Sequence, residues 1–326
     1  MVHDNRGALV PFDFSSILDH VPSLRLLELN LSVIAFENPI DSSNINTANW
    51  VDIGQVIHDN YDNYNGFVVL HGTDTMAFTA SAVSFMLENL DKPVVFTGAQ
   101  MPISSLRSDA RENLITALEI ASNHQNGKPL VPEVCIYFDY VLLRGNRSKK
   151  VESILFHAFE SENYPIMAEA GVEINYNVSA IHKKDDQNPL VLHTNFDNRV
   201  VILKLYPGIT QAVVESILNI PDLRGVVLET FGAGNAPTAV WFLELIKKAI
   251  DKGIVILNVS QCQGGRVIQG KYDTSQQLNA LGVIAGADLT LEAAITKMML
   301  VLGEEEDLTI IKNRLSTPVC GELTLN

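Results

Sequence analysis

Residues 66–76 read Gly-Phe-Val-Val-Leu-His-Gly-Thr-Asp-Thr-Met, and this stretch decides the fold class of the chain. The apolar run 66–70 predicts a buried β-strand, and a helix is expected to begin around Thr75. A hydroxyl (Thr73) and a carboxylate (Asp74) therefore stand at the carboxyl end of a strand, where open α/β sheets bind their ligands. The unpaired N–H groups of the following helical turn attract anions. The stretch thus predicts both a parallel sheet and a candidate site at its edge.

The alternation of strand and helix patterns continues on both sides of this stretch. Further strands are predicted at 93–97, 134–138, 200–205, 225–230 and 254–259, and helices at 75–90, 109–122, 210–218, 239–249 and 291–301. Strands that alternate with helices of this length indicate βαβ units and a parallel sheet. Because the strands are almost continuously apolar, both faces of the sheet are expected to be covered.

A polar and charged stretch interrupts this pattern. Residues 182–189 read His-Lys-Lys-Asp-Asp-Gln-Asn-Pro, a composition typical of a linker. We therefore expect two α/β domains, a larger N-terminal parallel-sheet domain at 1–180 and a smaller C-terminal domain at 200–326, joined by a linker at 181–199.

Composition excludes several classes of function. The chain has 326 residues, 47% hydrophobic and 19% charged, with a net charge of −15. An acidic chain is repelled by phosphate backbones, so no nucleic-acid partner is expected. No apolar run approaches the roughly 18 residues of a membrane span, and the first 16 residues do not resemble a signal peptide. Three cysteines and eight histidines without ligand spacing predict neither disulfides nor a metal site, and the expected compartment is the cytoplasm.

Four further segments place polar side chains at predicted strand ends or turns, and each has two interpretations. They are residues 41–43 (Asp-Ser-Ser), 97–102 (Thr-Gly-Ala-Gln-Met-Pro), 106–109 (Leu-Arg-Ser-Asp) and 144–150 (Arg-Gly-Asn-Arg-Ser-Lys-Lys). In the structural interpretation, residues 41–43 and either Ser108 or Asp109 cap helices. Residues 97–102 are then a plain turn between a strand and a helix, and residues 144–150 are a solvated charge cluster. In the functional interpretation, 41–43 binds a charged small molecule, 97–102 leaves room for it, and a lysine of 144–150 takes a proton from the Thr73 hydroxyl.

Two other features favour structural roles. His71 is interpreted as a packed or capping histidine. Residues 232–237 (Gly-Ala-Gly-Asn-Ala-Pro) lack the later spacing of a dinucleotide fingerprint, so they are interpreted as a tight turn or a subunit contact.

Together, residues 64–76, 97–102, 106–109, 144–147 and 232–237 resemble the type I (cytoplasmic) L-asparaginases in order and spacing, from about Gly7 to the C-terminus. The resemblance implies two α/β domains, with the site at the carboxyl edge of the larger domain's sheet. It also implies an amidohydrolase that converts L-asparagine to L-aspartate and ammonia, without a cofactor, as a homodimer or homotetramer.

The resemblance assigns catalytic roles to three residues. Thr73 matches the second of the family's two threonines, activated with Lys150 and Asp74. An amide requires a nucleophilic oxygen, help in removing its proton, and donors aimed at the developing oxyanion. The backbone N–H of Thr73 is a candidate for such a donor.

The resemblance also assigns the substrate contacts. Asp41 and Ser42 match the family's substrate turn, with Ser42 at the α-carboxylate. Asp74 binds the α-ammonium beside Thr73, and Ala99 presents its backbone carbonyl to the amide nitrogen.

One departure from the family pattern concerns the primary nucleophile. The family opens with a strand that ends in a T-G-G-T-I motif, whose second threonine attacks the substrate, whereas this sequence has no threonine before Thr47. Residues 7–11 match a later family segment, and Met1 matches an internal methionine. A family tyrosine near the position of Ala8 is also missing. We therefore expect the first strand and its nucleophile to lie outside this sequence, and the chain as written to have little or no activity.

Two alternatives remain open. A non-catalytic paralogue would keep Asp41, Ser42 and Asp74 to bind an amino acid without hydrolysing it. The related amidotransferase subunit would need an extension that faces RNA.

Overall fold

The computed structural model of the protein describes residues 21–183, 188–268, 270 and 273–325, and the backbone of residues 2–3 and 9–10. The chain divides into two compact units, Met1–Leu192 and His193–Asn326. Both units are α/β, which confirms the predicted fold class of a larger N-terminal domain with a parallel sheet and a smaller C-terminal domain. The finer limits, with a linker at 181–199, remain a prediction. Met1, Ala8 and the linker residues 184–187 lie outside the described residues.

A six-stranded sheet forms the centre of the first unit. Its strands are β1 (Phe67–Leu70), β2 (Val94–Thr97), β3 (Val134–Phe138), β4 (Val141–Arg144), β5 (Ala168–Ala170) and β6 (Ile174–Tyr176). Their order across the sheet is β6-β5-β4-β3-β2-β1. The three strands that the sequence predicts, β1 to β3, are parallel, and the remaining three continue the sheet in antiparallel pairs.

Two of the three α-helices described in this unit pack on the sheet, and the first packs on the second. The three are α1 (Thr47–Asp59), α2 (Met76–Met86) and α3 (Ala110–Ser122). Asn46 caps α1 by accepting hydrogen bonds from two N–H groups of its first turn. Nearly every residue of α2 is buried, so this helix is enclosed by the unit rather than lying on its surface. The predicted helix 75–90 ends early, at Met86, because Leu87–Glu88 pairs with Val191–Leu192 in a short antiparallel ladder.

Smaller elements connect these parts of the first unit. Two-stranded pairs join Val2–His3 to Leu9–Val10, His124–Gln125 to Lys128–Pro129, and Lys149–Lys150 to Phe159–Glu160. Short 3₁₀ helices occupy Pro22–Leu27, Ser42–Asn44, Tyr61–Asn63, Thr73–Thr75 and Gly145–Arg147.

Strand β1 is the last strand on its side of the described sheet. It pairs with β2 on one side, and no described residue pairs with it on the other. Three of its residues are partly buried and Leu70 is exposed, whereas every residue of β2 and β3 is buried. Residues 28–41, all of them described, form neither helix nor strand, although Leu29 and Leu31 alternate with exposed polar residues as in a strand.

The second unit is built on a four-stranded parallel sheet. Its strands, in spatial order, are β7 (Val200–Lys204), β8 (Gly225–Thr230), β9 (Val255–Ser260) and β10 (Ile284–Ala285). Its helices are α4 (Gln211–Leu218), α5 (Val240–Asp251), α6 (Asp273–Leu281), α7 (Leu291–Glu304) and α8 (Leu308–Ser316).

Side chains of β8 pack on both faces of this sheet. Val226 and Leu228 join the core under α4 and α5. A side chain at Gly225 would meet Met298 of α7 at 2.5 Å, so the alternate positions of the strand face α7. None of the helices that the structure describes, in either unit, has the length and apolar content needed to cross a lipid bilayer.

Candidate active site

The candidate site is built where β1 and β2 end side by side. Leu70 pairs with Thr97 at the carboxyl end of the parallel ladder, and His71 N–H donates to the Thr97 carbonyl at 2.9 Å. Gly98 is required here, because a Cβ at this position would lie 2.3 Å from the His71 carbonyl oxygen. The turns 71–75 and 98–102 therefore lie against one another, as expected for parallel strands.

Thr73 and Asp74 lie in the 3₁₀ turn that precedes α2. Lys150 Nζ donates to Thr73 Oγ1 at 2.8 Å and to Asp74 Oδ1 at 2.6 Å. The lysine side chain is 17% exposed and the aspartate 66% exposed. The three groups therefore meet at the surface of the unit, in contact both with each other and with solvent.

Lys150 reaches Thr73 from 77 residues further along the chain. Strand β4 ends at Arg144, the 3₁₀ turn Gly145–Arg147 packs on α2, and Lys150 follows in a short strand paired with Phe159. A Cβ at Gly145 would lie 3.1 Å from the Ala80 Cβ of α2 and 3.0 Å from the Val134 carbonyl oxygen, so a larger residue would push these neighbours apart by a few tenths of an ångström. The helix that follows Thr73 thus also positions the turn that carries Lys150.

A buried ion pair anchors the same segment at its start. Arg144 donates to Glu133 through Nε at 2.6 Å and through Nη2 at 3.1 Å, and its guanidinium stacks 4.2 Å from the centre of the Tyr164 ring. Arg144 and Arg147 are both buried, so the interpretation of 144–150 as a solvated charge cluster is wrong. The sequence did not reveal this because the partner, Glu133, comes from a separate strand end.

The substrate turn predicted at 41–43 lies next to Gly72. Ser42 is buried, its carbonyl accepts from Thr75 Oγ1 at 2.7 Å, and a Cβ at Gly72 would meet Ser42 Oγ at 2.5 Å. Asp41 is exposed, and its Oδ1 accepts from the N–H and hydroxyl of Ser43, both at 2.9 Å. These hydrogen bonds hold the pKa of the Asp41 carboxyl below its ordinary value of 3.8. Asp41 therefore caps the 3₁₀ turn Ser42–Asn44, whereas the helix that contains Trp50, for which the sequence predicts a cap at 41–43, is capped by Asn46.

The Asp109 side chain fixes the turn 98–102 through hydrogen bonds to its backbone. Its carboxylate accepts from the Gln100 N–H at 2.9 Å, the Met101 N–H at 3.0 Å and Asn113 Nδ2 at 3.2 Å. Asp109 occupies the N-cap position of α3 but its side chain accepts no hydrogen bond from the backbone N–H groups of the helix, so of the two predicted cap residues it is not the side-chain cap. The Ser108 hydroxyl does accept from the Ala110 N–H at 3.1 Å. Ala99, predicted to present its carbonyl to the substrate, lies in this fixed turn.

Sequence reasoning missed one direct neighbour of Thr73. The Thr73 hydroxyl donates to Gln100 Oε1 at 3.3 Å, and Gln100 Nε2 donates to the Leu155 carbonyl at 2.9 Å. Because Lys150 as an ammonium only donates, the hydroxyl hydrogen of Thr73 must point to Gln100 in this state. Gln100 lies inside the segment 97–102 that the sequence singled out, but nothing in its spacing marked it.

In the second unit, residues 232–237 form a tight turn. Phe231 and Asn235 pair across it, and Gly232 and Gly234 take positive φ angles of 51° and 103°. The structural interpretation of this segment is therefore confirmed. Among the described residues of the whole chain, no group of three His, Cys, Asp or Glu side chains is arranged to hold a metal ion.

Two protein-family models together match most of the chain. The family model "Asparaginase, N-terminal" matches residues 1–182, and "Glutaminase/Asparaginase C-terminal domain" matches residues 199–315. The chain belongs to the asparaginase family. Its relatives include "L-asparaginase 1" of Escherichia coli, 42% identical over 87% of this chain and 82% of that protein.

Other relatives include a longer human protein and a bacterial enzyme of known structure. The human "60 kDa lysophospholipase" is 42% identical over 99% of this chain, and the chain spans 56% of that protein's length. The crystal structure of L-asparaginase I from Vibrio cholerae matches with a TM-score of 0.88 and 35% identity, over 97% of this chain and 94% of that one. The asparaginase fold is therefore shared across both units.

Proposed function

We propose that this chain carries the threonine–lysine–aspartate part of an amidohydrolase site that converts L-asparagine to L-aspartate and ammonia. The observation that carries the proposal is one amine, Lys150 Nζ, within hydrogen-bond distance of both Thr73 Oγ1 and Asp74 Oδ1. Membership of the asparaginase family supports the choice of substrate. The proposed site uses no metal or other cofactor.

The proposed chemistry follows from these two contacts. In its amine form, Lys150 takes the hydroxyl proton of Thr73, which makes the oxygen nucleophilic or able to activate a neighbouring hydroxyl. The activated oxygen, either Thr73 Oγ1 or that of the neighbouring hydroxyl, then attacks the carboxamide carbon. The C–N bond breaks, and the nitrogen leaves as ammonia with a proton returned by Lys150. Water completes the hydrolysis to the carboxylate. The Thr73 N–H donates to the developing oxyanion.

The substrate contacts are proposed as the family pattern gives them. Asp74 is largely exposed, so its free carboxylate oxygen is accessible to the substrate α-ammonium. Ser42 lies beside Gly72 and binds the α-carboxylate, with Asp41 shaping its turn. The Ala99 carbonyl accepts from the amide nitrogen.

We further propose that full activity requires a second hydroxyl, supplied by a strand beside β1. Support comes from the side of β1 on which no described residue pairs with it, and from the strand-like residues 28–41, which pair with no other described residue. That segment leads into Ser42, which contacts the turn after β1, so both arrive at the same end of the sheet. One parallel strand between β1 and residues 28–41 would pair with each of them, and its last residues would then lie next to Thr73.

An ammonia-release assay with L-asparagine tests this proposal. The 326-residue chain is compared with a chain extended at its N-terminus by a strand ending in T-G-G-T-I. The expected result is little or no release from the former and turnover from the latter, and Thr73→Ala in the extended chain lowers kcat by orders of magnitude. Ordinary turnover by the 326-residue chain, or near-normal turnover by the Thr73→Ala variant, would contradict it.

The second candidate function is a non-catalytic amino-acid binder. It is favoured by the accessibility of Asp74, whose exposed carboxylate can bind an α-ammonium group without any hydrolytic step. Calorimetric titration of the 326-residue chain with L-aspartate separates the two candidates. Binding that Asp74→Asn abolishes, with no ammonia release even from the extended chain, supports the binder over the enzyme.

Assembly and location complete the proposal. We propose a cytoplasmic homodimer or homotetramer, on the strength of the family resemblance. Sedimentation velocity of the purified chain checks the assembly, and a single species with the mass of one chain would contradict it.

A further inference from the structure

Three hydrogen bonds connect α1 and α2 to the turn that carries Thr73. Trp50 Nε1 donates to Thr79 Oγ1 at 3.1 Å, Thr79 Oγ1 lies 2.9 Å from His71 Nε2, and His71 Nδ1 lies 2.6 Å from the Gly72 carbonyl oxygen. Thr79 is completely buried and His71 half-buried. The chain of contacts therefore runs from the interior of the unit to the peptide just before Thr73.

The chemistry of the two ends fixes the direction of every bond. An indole N–H only donates, so Thr79 accepts from Trp50. A carbonyl only accepts, so the hydrogen of His71 must be on Nδ1. The neutral ring then accepts at Nε2 from the Thr79 hydroxyl.

A protonated, charged His71 ring does not fit this series of hydrogen bonds. It would donate to Thr79 Oγ1 from Nε2, and the Thr79 hydrogen would then have no acceptor among the residues described around it. Leaving a buried hydroxyl hydrogen unpaired is costly. Burial also lowers the pKa of His71, although its hydrogen bond to the Gly72 carbonyl opposes the shift.

The last bond of the chain controls the direction of the Thr73 N–H. The Gly72 carbonyl and the Thr73 N–H belong to one planar trans peptide unit, so they point in opposite directions. A hydrogen bond that holds the carbonyl therefore also aims the N–H. It polarises the peptide as well, which makes the N–H a better donor.

We propose that His71 is a positioning residue that aims the Thr73 N–H at the oxyanion, with Thr79 and Trp50 holding its ring in the required tautomer. The inference deepens the proposed function and rests on it, because an oxyanion forms only if a carboxamide is attacked beside Thr73. It gives His71 a role other than the packing or capping that the sequence favours.

Nuclear magnetic resonance of the 326-residue chain tests the hydrogen-bond chain without requiring activity. Long-range proton–nitrogen correlations of His71 are expected to place its hydrogen on Nδ1. The Thr79→Val variant removes the hydroxyl at nearly constant volume, and it is expected to populate the other tautomer and to shift the Thr73 amide resonance. The Thr79→Ser variant retains the hydroxyl and should restore both signals. A hydrogen on Nε2 in the unaltered chain, or a Thr73 amide unmoved by Thr79→Val, would overturn the proposal.

Kinetics of the N-terminally extended chain test the catalytic consequence. Thr79→Val is expected to lower kcat for L-asparagine about tenfold at unchanged KM, less than the loss of a whole oxyanion donor. An effect on KM alone contradicts the positioning role. If the extended chain releases no ammonia, the proposed function fails, while the tautomer measurement still decides the hydrogen-bond chain.

Discussion

Two ion pairs stand at the two ends of residues 144–150 and differ in almost every physical respect. Arg144 meets Glu133 through two hydrogen bonds, and their side chains are 5% and 8% exposed. Lys150 meets Asp74 through one hydrogen bond, and their side chains are 17% and 66% exposed. One short segment thus contains a closed pair at its start and an open pair at its end.

The difference separates an anchor from a site. The closed pair has its partners fully engaged, including the Arg144 contact with the Ala180 carbonyl at 3.2 Å, so it has no capacity left for a ligand. The open pair keeps a carboxylate oxygen accessible and places its amine on a hydroxyl. The first pair holds the segment in place, whereas the second is accessible to a ligand, as the proposed function requires.

The largest expected effect comes from breaking the closed pair. Arg144→Met leaves Glu133 buried without its cation, and we expect the free energy of unfolding to fall by about 3–5 kcal/mol. The matched change at the open end, Lys150→Met, is expected to cost less than about 1 kcal/mol, because exposed pairs contribute little. Urea unfolding measures both, and equal losses would contradict the distinction.

A double variant provides the control for this comparison. Glu133→Gln together with Arg144→Met removes both charges, so the double variant is expected to recover part of the stability that either single change loses. Simple addition of the two single losses would show that no specific pairing energy exists.

An intermediate effect is expected from a substitution at Gly72, which tests how closely the turn before Thr73 packs against Ser42. In Gly72→Ala, the new Cβ would lie 2.5 Å from Ser42 Oγ, so the turn 41–43 must move, and we expect the free energy of unfolding to fall by about 1–3 kcal/mol. Ser42→Gly in the same chain removes the obstructing side chain and should restore most of the unfolding free energy. If Ser42→Gly does not restore the free energy of unfolding, the strain does not arise from the contact between residues 72 and 42.

The smallest effect concerns pH at His71. Its folded-state pKa lies below the ordinary value of 6.5, so as the pH falls through 6.5 the unfolded chain takes up the proton first. Stability is therefore expected to be highest above that pH and to decline below it. Urea midpoints between pH 7.5 and 5.5 should fall less in His71→Phe than in the unaltered chain. Parallel declines in the two proteins would contradict a buried neutral histidine.

Sequence patterns predicted the elements that depend on local order. Strands β1 to β3 and the turn with Thr73 and Asp74 were found because apolar runs and polar strand ends are contiguous in the chain. The antiparallel strands Ala168–Ala170 and Ile174–Tyr176 were missed because three-residue strands contain too little pattern to recognise.

Partners contributed by distant segments were beyond the reach of local patterns. Gln100, Thr79 and Glu133 each meet a site or anchor residue only after strands and helices pack, and no spacing along the chain encodes that meeting. Lys150 is the exception, because the family resemblance predicted that it acts with Thr73 although the two residues are 77 positions apart.

Lys149 and Lys150 offer matched substitutions that test whether the open pair, Lys150 with Asp74, takes part in the hydrolysis. They are neighbours on one short strand, so their side chains point to opposite faces, and replacing either by methionine removes the same charge. In the extended chain, ammonia release from L-asparagine is predicted to fall at least about 100-fold in Lys150→Met and less than about twofold in Lys149→Met. Equal losses in the two variants, or normal turnover in Lys150→Met, would contradict the account.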